Sequence, residues 1–134
     1  MDPFYFASWA RKKGFIAHIY CHFKDELKIT ISGIDIELYH APGETNDQIF
    51  VWLPKHKSLM PGDNIYNTFP NLYTIRGTTH RNVSGWVDSL DHMRSFEPEY
   101  LFPSHTKPIE GDDATKALTI YRDAIQFIHD QRYI

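Results

Sequence analysis

The sequence predicts a single α/β domain of the α+β kind, in which helices and strands share one core. Three patterns predict it. Two short runs alternate apolar with polar residues, a third run of five is apolar throughout, and two later segments carry apolar residues at helical spacing. With 134 residues the chain has room for one core and no second domain.

Taken in order, Met1 to Phe23 is aromatic and basic without a clean period, with room for a short helix over Phe4 to Lys13. Leu27, Ile29 and Ile31 then alternate with Lys28, Thr30 and Ser32, a half-buried strand. Ser32-Gly33 turns the chain into Ile34, Ile36 and Leu38, alternating with Asp35, Glu37 and Tyr39, so the pair reads as an antiparallel hairpin. Ile49-Phe50-Val51-Trp52-Leu53 is apolar at every position, which predicts a strand buried on both faces. Pro54 to Lys57 makes a turn, Ser58-Leu59-Met60 a short fourth strand, and Pro61-Gly62 ends it.

An irregular stretch runs from Asn64 to about Val83, and loops of that length in a small domain often carry function. Trp86, Val87, Leu90 and Met93 place an amphipathic helix over about Ser84 to Phe96, closed by Pro98. Tyr100-Leu101-Phe102 is a further short strand. After Gly111, Asp112 or Asp113 can cap a last helix whose stripe contains Leu118, Tyr121, Ile125 and Ile128 and whose body is Thr115 to Gln131.

Composition excludes several functions. A net charge of -3 gives no basic footprint for nucleic acid. Cys21 is the single cysteine, so an internal disulfide and an all-cysteine zinc site are out. No apolar run reaches the roughly 18 residues of a membrane span. Asp2 and the Arg11-Lys12-Lys13 run do not fit a signal peptide, so the expected location is the cytoplasm.

The chemistry lies in three loops that follow apolar strands. Glu44 stands in His40-Ala-Pro-Gly-Glu44-Thr, Asp63 in Met60-Pro-Gly-Asp63-Asn, and His105 in Phe102-Pro-Ser-His105-Thr. Strands lying side by side would gather these loops at one sheet edge, where two carboxylates and an imidazole could bind a divalent ion. Spacing alone leaves the alternatives open, because Asp or Glu beside Pro-Gly also serves as a turn former and a lone histidine after a strand also serves as a surface residue. Asp47 is a rival donor or a turn residue. Asn82-Val83-Ser84 is a formal glycosylation sequon, of little weight without a secretory signal.

His40-Ala-Pro-Gly-Glu44-Thr, Pro61-Gly62-Asp63-Asn64 and Pro103-Ser104-His105 together resemble the later metal motifs of the metallo-β-lactamase superfamily, with Glu44 in a slot that usually holds histidine. That glutamate, with Phe69-Pro-Asn-Leu-Tyr-Thr-Ile-Arg-Gly77, is similar to the alkyl sulfatase branch. The resemblance covers about Leu27 to Gln131. It implies half of an αββα sandwich, a mixed sheet with helices packed on one face, formed by residues 27–134 as the C-terminal half, with residues 1–26 an unmatched N-terminal segment.

The resemblance also implies roles. Glu44 would ligate a first zinc ion, Asp63 would bridge two and act in catalysis, and His105 would ligate the second. Arg76 would grip the sulfate with Asn71 assisting, since a planar guanidinium offers paired, permanently charged donors to a tetrahedral oxyanion. His80 could donate a proton to the leaving group, and Tyr66, Phe69 and Tyr73 could wall an alkyl chain. The implied activity is metal-dependent hydrolysis of a small-molecule sulfate ester by a metal-activated water.

One part of the family pattern is missing. The sequence contains no His-x-His-x-Asp-His; His18-Ile-Tyr-Cys-His22 has the wrong spacing and reads as non-ligating, and His56, His92 and His129 read as surface residues. Without that motif each ion would keep two donors from this sequence, below the three usual for catalytic zinc. The expectation is therefore a truncated hydrolase domain, inactive alone, whose strand 49–53 leaves apolar surface for a homodimer or a complementing N-terminal half. The alternative is a non-catalytic half domain that binds a partner chain or an anionic ligand.

Overall fold

The computed structural model describes residues 23–66, 68–70, 72 and 81–131. The expectations for the helix at Phe4 to Lys13, and for His18, Cys21, His22, Asn71, Tyr73, Arg76 and His80, lie outside the described residues. Six strands form one sheet in sequence order: β1 (Glu26–Ile31), β2 (Ile34–His40), β3 (Ile49–Leu53), β4 (Ser58–Met60), β5 (Tyr100–Leu101) and β6 (Ile109–Glu110). All neighbours are antiparallel except β4 and β5, so the sheet is mixed. Parallel neighbours need a long crossover, and here it contains α1 (Val83–Ser95); α2 (Asp112–Asp130) follows β6.

Each element follows from local chemistry. The β1–β2 hairpin turns at Ser32-Gly33, both at positive φ, the geometry its two-residue loop requires. The Asn82 side chain caps α1 by accepting from the Gly85 N–H at 3.1 Å, so the formal sequon residue serves the helix. At α2 the cap position falls to Gly111 and no side chain caps it. Asp112 and Asp113 instead occupy the first turn, where their charge favours the positive helix end.

The core lies on one face of the sheet. Tyr39, Phe50, Trp52, Leu59 and Leu101 point to it and meet Trp86, Leu90 and Met93 of α1 and Leu118 and Ile125 of α2. The strand register puts Leu27, Ile29, Ile36, Leu38, Val51 and Met60 on the opposite face. None of these joins the core cluster. The expectation that β3 is buried on both faces is thereby corrected: Phe50 and Trp52 are buried, whereas Ile49, Val51 and Leu53 are only partly covered.

The two helices are clasped by Asp91, which accepts from Arg122 Nη2 at 3.1 Å and from Arg94 Nη1 at 2.7 Å. Burial pushes the Asp91 carboxyl upward, but the hydrogen bonds and charges of Arg122 and Arg94 outweigh it and hold the pKa below the usual value. A depressed carboxylate contributes stability above its unfolded pKa of about 3.9 and loses it as pH falls through the folded value. The Asp91 side chain is 42% exposed, so solvent screening keeps the contribution to about 0.5–1 kcal/mol. Urea unfolding at pH 7 and pH 3 should therefore show Asp91→Asn less stable than wild type at pH 7 and the difference smaller at pH 3; a difference undiminished in acid counts against the ion pairs.

Candidate functional site

Strand order brings the three expected loops to one edge. Glu44 follows β2, Asp63 lies in the 3-10 turn Gly62–Asn64 after β4, and His105 lies between β5 and β6. All three line one cleft of about 290 Å³, together with Tyr66, Thr68 and Thr106. Asp63 Oδ1 and His105 Nε2 are 3.2 Å apart, both open to solvent. Asp47 does not line this cleft; it lies in the 45–48 turn, where a hydrogen bond from Thr45 lowers its pKa. His92 is edge-on to Tyr39 and Phe50, at 5.2 and 5.3 Å, and burial lowers its pKa.

Two residues that carried no role in the sequence reading organise the cleft. Asn64 is fully buried. Its Oδ1 accepts from the Glu44 N–H at 3.0 Å, its Nδ2 donates to the Ala41 carbonyl at 2.7 Å, and its own carbonyl accepts from Trp86 Nε1 at 3.0 Å. Gly43 allows this approach: a Cβ there would stand 2.2 Å from Asn64 Oδ1 and 2.8 Å from Trp86 Cδ1. One side chain thus ties the Glu44 loop to the Asp63 turn. The other residue is Arg81, whose Nη2 donates to Glu44 Oε1 at 2.7 Å while its guanidinium lies 5.6 Å from the Trp86 ring. Its side chain is only 10% exposed.

Beside the polar cleft is an apolar pocket of about 370 Å³. Phe69, Pro70, Ile109, Ala117, Ile120 and Ala124 are among its lining residues. Tyr66, Thr68 and Thr106 line both cavities, so the two adjoin. Tyr121 closes the apolar side; burial drives its phenol pKa up, so it stays neutral. Of the three aromatic wall candidates, Tyr66 and Phe69 are in place, and Phe69 is 58% exposed.

The mixed sheet with helices on one face is a fold shared with known proteins. The metallo-β-lactamase superfamily profile matches residues 23–105, and the chain belongs to that superfamily. It is 38% identical over 111 residues to the linear primary-alkylsulfatase of Pseudomonas sp. (strain ATCC 19151), covering 81% of this chain and 21% of that protein. The chain thus spans about a fifth of that relative's length.

Among solved structures, the stereoselective inverting sec-alkylsulfatase Pisa1 from Pseudomonas sp. superposes with a TM-score of 0.75 at 24% identity, over 87% of this chain and 19% of that one. A metallo-β-lactamase from Pontibacter korlensis superposes with a TM-score of 0.63 at 19% identity, over 90% of this chain and 54% of that one. These two likenesses concern the fold, and they agree with the expected mixed sheet carrying helices on one face.

The superfamily implies a divalent metal centre, typically zinc, in this region. Asp63 and His105 offer adjacent donors, but Glu44 Oε1 is already held by Arg81. Among the described residues no group of three or more His, Cys, Asp or Glu side chains is placed to hold an ion. Catalytic zinc usually takes three protein ligands, so these residues by themselves do not complete such a site. No helix among the described residues is long and apolar enough to cross a membrane.

Proposed function

We propose that residues 27–134 act as the C-terminal half of an alkylsulfatase-like hydrolase domain that binds alkyl sulfate esters, with residues 1–26 a separate segment. The observation that carries this reading is the pair of adjoining cavities, one lined by Glu44, Asp63 and His105 and one apolar, which suits a ligand with a polar head and an alkyl tail. The 38% identity to a linear primary-alkylsulfatase supports the same ligand class. In this reading Arg76 and Asn71 grip the sulfate and His80 protonates the leaving alcohol oxygen. Asp63 stands at the ester and, with Glu44 and His105, forms this chain's share of the metal donors. Pro70, Ile120 and Ala124 hold the tail.

Turnover then needs donors that this sequence does not contain, and the expected result for the chain alone is binding without hydrolysis. A second reading, a non-catalytic half domain that docks on a partner chain, is favoured by the shortage of donors and by the apolar second face of the sheet. Calorimetry with decyl sulfate below its micelle concentration separates them. Decyl sulfate should bind at least ten-fold tighter than inorganic sulfate or decanol. Ala124→Trp, which fills the apolar pocket, should remove the tail's share, and Arg76→Ala the head's. Affinity no better than that of inorganic sulfate would sink the alkyl sulfate reading.

A further inference from the structure

The carboxylate expected to meet a first metal ion already has a cation on it. Arg81 reaches Glu44 Oε1 at 2.7 Å, with its side chain 90% covered and its guanidinium against the Trp86 ring. Three physical facts make this more than a surface ion pair. The guanidinium cannot shed its charge at any accessible pH, so its positive charge in the cleft is permanent. A charge-assisted hydrogen bond at this length is among the stronger ones, and cover from solvent strengthens it further. The indole face beside the guanidinium favours a cation at this place. The Glu44 backbone is also fixed, because its N–H is bound by the buried Asn64 side chain. The backbone from which the Glu44 carboxylate reaches Arg81 is therefore held in place.

We propose that Arg81 is a built-in placeholder for the metal ion on Glu44, so that zinc reaching this carboxylate must displace the guanidinium. This rests on the reading that Glu44, Asp63 and His105 are this chain's metal donors. The cleft is then balanced internally: Arg81 neutralises Glu44 while Asp63 and His105 face each other, and the acidic site stays ordered without metal. The additional donors that the sequence lacks would have to outcompete Arg81, which couples metal loading to completion of the site.

The test is zinc affinity of the full chain, by competition with a chromophoric chelator, with far-UV circular dichroism confirming that each variant is folded. Arg81→Met should bind zinc at least ten-fold tighter than wild type, and the gain should vanish in Arg81→Met/Glu44→Gln. Arg81→Lys, which keeps a cation, should stay near wild type. Should Arg81→Met unfold, Arg81→Gln, which keeps a hydrogen bond to Glu44 without the charge, carries the same expectation. Unchanged or weaker affinity in the uncharged variants overturns the placeholder, as does a gain that survives Glu44→Gln. Asp63→Ala tells the two failures apart. If it weakens zinc binding while loss of the Arg81 charge does nothing, only the placeholder is wrong. If it has no effect in any background, the metal-donor reading fails as well.

Discussion

Replacing Asn64 with alanine should destabilise the chain by about 2–5 kcal/mol, a large part of the roughly 5–15 kcal/mol typical of a domain. The side chain is fully buried and both ends of its amide are engaged, one by the Glu44 N–H and one by the Ala41 carbonyl. Alanine leaves both partners unpaired, and each orphaned group costs about 1–3 kcal/mol. Asn64→Asp is no rescue: it keeps the acceptor for Glu44 but loses the donor to Ala41, and it adds a negative charge beside Glu44 and Asp63. Urea unfolding should show a lower midpoint at unchanged slope for both variants. Hydrogen exchange at the Glu44 amide should accelerate in the alanine variant beyond what global unfolding explains. A loss below about 1 kcal/mol would mean that water replaces the amide, and Asn64 would not be what fixes the Glu44 loop to the Asp63 turn.

Asn64 also shows where sequence reasoning stops. Pro61-Gly62-Asp63-Asn64 is conspicuous for its turn residues and its carboxylate, and both are local signals. The Asn64 contacts reach 23 residues back to Ala41 and 22 residues on to Trp86, and no local pattern announces such pairings. Arg81 is the same case, since its bond to Glu44 spans 37 residues. The hairpin, β3, β4 and both helices were legible because period and turn chemistry act within a few residues. β6 was not: Ile109–Glu110 is two residues long, too short to carry a period. The convergence of Glu44, Asp63 and His105 on one cleft was foreseeable only in outline, because it depends on strand order. The structure supplies the order, and with it the engagement of Glu44 by Arg81, which the three loops alone gave no reason to expect.

Strand β3 yields the second large effect, a pair of neighbouring substitutions with opposite outcomes. Phe50 and Val51 are adjacent and both apolar, yet the register sends Phe50 into the core against Tyr39 and Val51 to the other face between Leu38 and Met60. Phe50 is wholly buried, 5.0 Å from the Tyr39 ring. Phe50→Lys removes that packing and buries a charge without a partner, and losses of about 3–5 kcal/mol are usual for the packing alone. That variant should be largely unfolded by circular dichroism.

Val51 sits at the centre of a sheet face on which Leu27, Ile29, Ile36, Leu38 and Met60 also point outward. Ile31 and Ile34 at the rim are 48% and 45% exposed. Fully covering an exposed side chain of this size is worth about 1.5–3 kcal/mol. Leu27, Ile29, Ile36, Leu38, Val51 and Met60 are already partly covered, so each gains less, and together with Ile31 and Ile34 they favour self-association of the isolated chain. Val51→Lys should therefore stay folded and shift the sedimentation profile from associated species to monomer. A wild-type chain that is already monomeric at about 100 μM would show that the face is satisfied from within the chain. An unfolded Val51→Lys would show that this face is buried like the other.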